Sequence, residues 1–202
     1  MLMAKLIIAF HIFFLLSFSS FSQNSLSTSG KAIINEIGDT IILRGMGLGG
    51  WMVQEGYMMA PGGFSSTQYQ IRDRLIELIG LQETNIFYDN WLSNHVRKID
   101  IDSMKQWGFN LVRAPIHYNL FTQPIENESY PFAYTEKEKG FQLLDSLLSW
   151  CKENEIYLMI DLHAAPGGQG YNADISDYDP SKPSLWESEY NQHKTVELWK
   201  RI

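Results

Sequence analysis

Asp161 and His163 are the residues of this chain best placed to do chemistry, standing two apart where the apolar run Ile156 to Ile160 gives out. In an extended strand, alternation puts Tyr157, Met159, Asp161 and His163 on one face and Leu158, Ile160 and Leu162 on the other. A carboxylate and an imidazole sharing a face are the ingredients of an acid/base pair. Pro166, Gly167 and Gly168 follow at once, and a buried strand ending in polar groups and a glycine loop is how a parallel sheet delivers side chains to a site at its carboxyl end. A second charge interrupts the run Phe109 to Ile116, where Arg113 shares a face with Phe109 and Leu111. A cation on a buried strand is costly unless paired, so a carboxylate partner is required. A third candidate set follows the glycine-rich stretch Arg44-Gly45-Met46-Gly47-Leu48-Gly49-Gly50-Trp51. Its glycines lack the spacing of a dinucleotide fingerprint and no P-loop lysine follows. Trp51, Glu55 and Tyr57 are therefore read as facing a cleft beyond a strand end.

Positioning these residues requires strands near Thr40, Phe109 and Ile156, separated by helices. Ala32–Ile34 and Thr40–Leu43 flank Gly38-Asp39 as a small hairpin. Ile71, Leu75 and Leu78 predict a helix from Gln68 to Ile79 with Gly80 as its stop, and a second helical stretch runs from about Glu83 to Trp107, broken near Ile99 and ended by Gly108. Thr135-Glu136-Lys137-Glu138 has the form of a capping box, with Phe141, Leu144, Leu148 and Cys151 following at helical spacing, so Thr135 to Asn154 reads as a helix with Cys151 in its buried stripe. A polar loop from Ala164 to Ser184 leads to a last helix from about Glu187, carrying Val196 and Trp199. Repeated strand-then-helix units imply a parallel α/β sheet. The fold class expected is the N-terminal part, about three strand–helix units, of a (β/α)8 barrel, preceded by a small β-hairpin. A complete barrel takes about 250 residues, which makes residues 31–202 the expected N-terminal portion of a longer protein.

The 202 residues, 45% hydrophobic and 19% charged, allow a substantial core. A net charge of -7 without a basic patch gives nucleic acid no footing. Aromatic residues make up 13%, six Trp and ten Tyr among them, enough for a core or a sugar-stacking cleft, and composition does not separate the two. Lys5, the apolar run Leu6 to Leu16 and small residues up to Ser22 predict a secretory signal peptide over 1–22, followed by a polar linker over 23–30. The apolar run is short of the ~20 residues that span a bilayer, so a secreted, extracellular or periplasmic protein without a membrane anchor is expected. With Cys151 alone, no internal disulfide is available. Asn127-Glu128-Ser129 is a glycosylation sequon. His95 and His193 read as solvated helix positions, and no cluster has metal-ligand spacing, so no metal or other cofactor is expected.

Three segments, Leu43 to Trp51, Asn110 to Ile116 and Ile160 to Gln169, together resemble glycoside hydrolase family 5, most nearly its exo-β-1,3-glucanase-like and bacterial β-glucanase members. The resemblance covers essentially all of the chain after the signal. It implies a (β/α)8 barrel that hydrolyses β-linked glycan with retention, using two glutamates, one after the fourth strand and one after the seventh. Neither strand falls in this sequence, so the resemblance implies no catalytic pair within it. It implies that Arg113 supports the nucleophile carboxylate, that His163 hydrogen-bonds the sugar beside the scissile bond, and that Glu55 and Tyr57 touch substrate. Trp51 and His117 join them as candidate cleft residues, although His117 stands where a small residue is common. Beside Arg113, Asp161 reads as a structural partner rather than a catalyst. The partner implied is a β-glucan oligo- or polysaccharide, with the full-length protein a monomer. The rivals are a non-catalytic carbohydrate-binding relative, and a barrel enzyme of other chemistry such as a lyase.

Overall fold

The apolar runs near Phe109 and Ile156 are strands in the structure, a computed structural model that describes residues 25–59, 63 and 65–202, whereas Thr40–Leu43 is not, and the first parallel strand is instead Gly45–Gly47 in the glycine-rich stretch that follows it. The expected signal segment, residues 1–22, lies outside the described residues. Two units are present, one ending at Ile42 and the other beginning at Leu43.

In the first unit, β1 (Ser27–Ser29) pairs antiparallel with β2 (Ala32–Ile34). The ladder thus uses residues expected to be linker, while Thr40 joins only through a bridge to Ile34. The reason lies in Asn35, whose side-chain oxygen accepts the N–H groups of Ile37 and Asp39 at 3.1 and 2.9 Å. An Asx-type turn of this kind folds the chain back before a longer second strand can form.

The second unit is built on β3 (Gly45–Gly47), β4 (Leu111–His117) and β5 (Tyr157–Ala164), all parallel and in the order β3-β4-β5. Spatial order equals chain order, the singly wound arrangement of a barrel wall rather than the reversal of a doubly wound sheet. The register sets Gly47 beside Arg113, Arg113 beside Met159 and Pro115 beside Asp161. Helices lie between the strands: a single turn α1 (Gly56–Met59), the long α2 (Gln68–Asn94), α3 (Lys98–Gln106) and α4 (Glu138–Glu153). The short α5 (Ala173–Ser176) and α6 (Glu189–Arg201) follow β5. Among the described residues, none of these helices is long and apolar enough to cross a membrane.

Val112, Ala114 and Ile116 of β4 share one core with Leu92, Ile101, Met104, Leu144, Leu147, Cys151 and Leu198. Each fully buried aliphatic side chain of this kind contributes about 1.5–3 kcal/mol, and this helix-covered face holds the opposite face of the sheet in place. Cys151 is fully buried, as its stripe predicts, and burial pushes its thiol up to about 11. Helix α2 opens on a capping box in which Thr67 Oγ1 accepts the Gln70 N–H at 3.3 Å. It is interrupted where the sequence places a stop, at Gly80 with φ 84. The second break falls at His95–Arg97 rather than near Ile99, and Asp100 caps the new start by accepting the Arg97 N–H at 2.8 Å.

Two helices depart from the periodicity reading. Helix α4 begins at Glu138 instead of Thr135, because Thr135 is taken by Glu128, which accepts its hydroxyl at 2.7 Å and its N–H at 3.0 Å, and Glu136 forms an antiparallel bridge with Thr122. In α6 the buried residues are Asn191, Lys194 and Leu198, while Val196 and Trp199 are exposed at 52% and 46%. Lys194 turns inward because its Nζ is held by Glu128, by Thr122 Oγ1 at 3.1 Å and by the Ala133 carbonyl at 3.3 Å. The Tyr134 ring lies 5.3 Å away.

Candidate active site

Three consecutive segments bring the candidate residues together at the carboxyl ends of the parallel strands. Beyond β3 the chain stays beside β4, through the Leu48 N–H to the Arg113 carbonyl at 2.9 Å and a parallel bridge of Met52 to Ile116. That carries Glu55 to the end of β4. Gly56 is required there: a Cβ on it would stand 2.3 Å from the Ser66 carbonyl oxygen, and its own N–H donates to that oxygen at 2.9 Å. So close a backbone approach fixes the positions of Glu55 and Tyr57 on either side.

Arg113, Asp161 and His163 form one hydrogen-bonded cluster, with Arg113 Nη2 donating to Asp161 Oδ2. His163 Nδ1 lies 2.8 Å from that same oxygen and 3.1 Å from Arg113 Nη2. A guanidinium only donates, so the consistent assignment has Nδ1–H and Nη2–H both directed at Asp161 Oδ2. His163 Nε2 then points away, to Glu55 Oε2 at 3.7 Å. Tyr57 is 63% exposed, and partial desolvation together with the Glu55 carboxylate beside it raises its phenol above the ordinary value. The four residues line up as Arg113, Asp161, His163 and Glu55, ending at Tyr57. Arg113 is half-exposed rather than buried, since β5 beside it is an edge strand among the described residues. Its required carboxylate is Asp161.

Two candidates stand elsewhere. Trp51 is 2% exposed, lies in the core and donates its indole N–H to the Leu92 carbonyl at 2.8 Å. A ring so covered offers no stacking face. His117 is 1% exposed, its Nδ1 accepts the Asn119 N–H at 3.1 Å, and its Nε2 meets Asp177 Oδ2 at 2.8 Å. With both nitrogens engaged, it has no donor or acceptor left for a sugar hydroxyl. It is a structural histidine that anchors a loop.

Sequence reasoning missed the residues that fix the loop after β5. Gln169 reaches back to the strand end, accepting the Ala165 N–H at 3.0 Å and donating to the His163 carbonyl. Asp177, in the left-handed region at φ 53, ties the loop to His117 and also accepts the Tyr69 N–H at 2.9 Å. A non-glycine residue at positive φ carries that signal only once the backbone is seen. An open groove of about 490 Å³ runs along the edge of β5, with Arg113, Asp161 and Trp199 among its walls. Among the described residues, no group of three or more His, Cys, Asp or Glu side chains is arranged to hold a metal ion.

Comparison with known proteins bears on the family. The family model described as "Cellulase (glycosyl hydrolase family 5)" matches residues 70–201. A β-xylosidase of Phanerodontia chrysosporium is 34% identical over 178 residues, 88% of this chain and 35% of that protein. Glucan 1,3-beta-glucosidase 2 of Saccharomyces cerevisiae is 30% identical over 149 residues, 65% of this chain and 26% of that protein. The chain thus spans about a third or less of the length of these curated relatives. The solved structure of a rutinosidase from Aspergillus niger superposes with a TM-score of 0.56 at 18% identity, covering 79% of this chain and 44% of that one, which speaks to the fold. A singly wound parallel sheet, together with a family match that reaches from the first turn of α2 to the last of α6, establishes that this chain belongs to glycosyl hydrolase family 5.

Proposed function

We propose that the chain is the amino-terminal part of a secreted enzyme that hydrolyses β-linked glucan with retention of configuration. The observation that carries this reading is the row Arg113–Asp161–His163–Glu55 at the strand ends. A retaining glycosidase sets two carboxyl groups roughly 5 Å apart across the scissile bond. Asp161 does not serve as one of them: the oxygen it turns to the cluster already accepts from Arg113 and His163. Glu55 is buried against His163 and Tyr57, a setting for binding rather than for attack. As the family resemblance implies, the two catalytic glutamates follow the fourth and seventh barrel strands and so lie outside residues 1–202, with Arg113 supporting the nucleophile. His163 Nε2 and Glu55 Oε2, 3.7 Å apart, are both acceptors in this arrangement and suit two neighbouring sugar hydroxyls, one donating to each. Tyr57 adds a ring and a hydroxyl at the rim.

A second reading rests on the β-xylosidase relative, which matches 88% of the chain: the sugar bound at His163 and Glu55 is then a β-xyloside. Assay of the complete protein on aryl β-glucoside, aryl β-xyloside, laminarin and hydroxyethyl cellulose, with the first anomer released followed by NMR, separates the two. Cleavage with initial β-product supports the proposal, and the preferred aryl glycoside chooses between the sugars. No cleavage of any of the four, or an initial α-product, would sink it. Residues 1–202 alone are expected to show no turnover.

A further inference from the structure

The segment between β4 and α4 carries a second built feature that the row at the strand ends does not use. Its middle is a tight turn in which the Ala133 N–H donates to the Tyr130 carbonyl at 3.1 Å. Pro131 is the first central residue and Phe132, at φ 65, the second. A turn with proline first and positive φ second is the type II pattern, whose second position belongs to glycine or asparagine. A bulky aromatic residue there is strained and persists only where its surroundings over-determine it. They do: Glu128 at one end of the segment holds Thr135 at the other by two hydrogen bonds, and is itself clamped by the buried Lys194. Yet Tyr130 and Phe132 remain 66% and 47% exposed. The rings of Tyr190 and His193 meet Phe132 at 69° and 82°, bracing it without covering it.

Tyr130, Phe132 and Tyr190 edge a groove of about 360 Å³. Through Ile125 and Glu126 it adjoins a polar pocket of about 370 Å³, whose walls include Tyr69, Asn119, Asp179 and Lys182. Neither is lined by Arg113, Asp161 or His163. In the pocket four carboxylates, Asp73, Glu126, Asp177 and Asp179, face one lysine, Lys182, which already pairs with Glu126 at 3.1 Å. That charge balance rejects an anionic ligand and suits a neutral one rich in hydroxyl donors, while exposed rings suit the flat apolar face of a pyranose.

We propose that the β4–α4 loop is a binding surface for a neutral β-linked polysaccharide, one stretch of the chain stacking on Tyr130 and Phe132 and the next hydrogen-bonding in the adjoining pocket. This rests on the reading of the parent protein as acting on β-linked glycans and adds to it a place that holds polymer apart from Arg113, Asp161 and His163. The test is affinity electrophoresis of the complete protein through gels containing laminarin, hydroxyethyl cellulose or neutral xylan, alongside turnover of a small aryl β-glycoside. Tyr130→Ala combined with Phe132→Gly, the glycine relieving the strained turn, should weaken retardation at least fivefold and leave small-substrate turnover within twofold. Phe132→Tyr should keep the retardation. Equal retardation of wild type and the double variant would overturn the proposal, as would equal loss in Phe132→Tyr and Phe132→Gly. Turnover of the small glycoside without retardation by any polymer overturns this surface and leaves the hydrolase reading standing. Retardation that depends on Tyr130 and Phe132 without any turnover supports the surface and removes the hydrolase reading.

Discussion

Replacing Lys194 with methionine in the complete protein tests a buried ion pair between residues 66 apart in sequence. Lys194 and Glu128 have side chains 1% and 3% exposed, so the substitution leaves a buried carboxylate whose remaining donors are the Thr135 hydroxyl and N–H. Breaking one side of such a pair costs about 3–5 kcal/mol. At about 2–4 °C per kcal/mol for a domain of this size, that is a drop of roughly 6–20 °C in Tm at pH 7. The pH dependence sharpens the test. Burial alone would raise the Glu128 carboxyl, but Lys194 and Thr135 outweigh it and hold it below its ordinary value of 4.5. A depressed folded pKa means that the wild-type contribution is present above the ordinary value and is lost as pH falls through the folded one. In Lys194→Met the cation is gone, the carboxyl moves up, and protonation relieves the uncompensated charge. The two melting curves should therefore converge as pH is lowered from 7 toward 4. A loss below about 1 kcal/mol at pH 7, or curves that stay parallel, would refute the pairing. Adding Glu128→Leu to Lys194→Met should restore much of the loss, because exchanging a whole buried pair for apolar groups is often close to neutral.

Arg113→Ala should cost about 1 kcal/mol or less in stability, since its ion pair with Asp161 is partly exposed and such pairs contribute little. Its effect on turnover should be about 100-fold or more, the scale of a misplaced catalytic group. Near-normal kcat would remove it from the site. Gly56→Ala must push Ser66 away and should displace Glu55 and Tyr57; a rise in KM for a small aryl glycoside of about tenfold, roughly 1.4 kcal/mol, is expected, and an unchanged KM would deny them contact with substrate. Cys151, buried with its thiol raised to about 11, should stay unlabelled by iodoacetamide at pH 8 until the protein is denatured, which rapid native labelling would contradict.

Legibility in the sequence divides by how far apart the partners lie. The second and third parallel strands, the stop at Gly80 and the burial of Cys151 follow from local pattern, because an apolar run, a glycine or a helical stripe carries its signal within a few residues, whereas the first parallel strand, Gly45–Gly47, has no apolar run to mark it. The start of α4 and the inward face of α6 do not follow from local pattern either. Thr135 looks like a cap until Glu128 claims it, and Lys194 looks solvated until Glu128, 66 residues away in sequence, takes it inside. Periodicity scores a side chain by type, and a charged residue scores as outside whatever its partner. At the site, Asp161 was legible as a structural partner, but its pairing with Arg113 rests on the register between β4 and β5, which alternation within a strand does not fix. Trp51 was not legible, since an aromatic residue at a strand end serves core and cleft alike until its indole N–H is seen bonded to Leu92. The anchoring of His117 by Asp177 spans 60 residues and left no local mark.

The loop after β5 has a modular construction. Gln169 fastens its near end to the strand, Asp177 fastens its far end, and the Ser176 hydroxyl donates to the Gly170 carbonyl at 2.8 Å across the neck. Tyr171 and Asn172 therefore stand outside the clasp, Tyr171 86% exposed at the tip, while α5 behind them packs against α1 and β5. Sequence can change at these two positions without touching the bonds that hold His163 and Asp161, whereas change within α5 would reach α1 and β5, so the specificity of this wall is free to diverge only at its outermost turn.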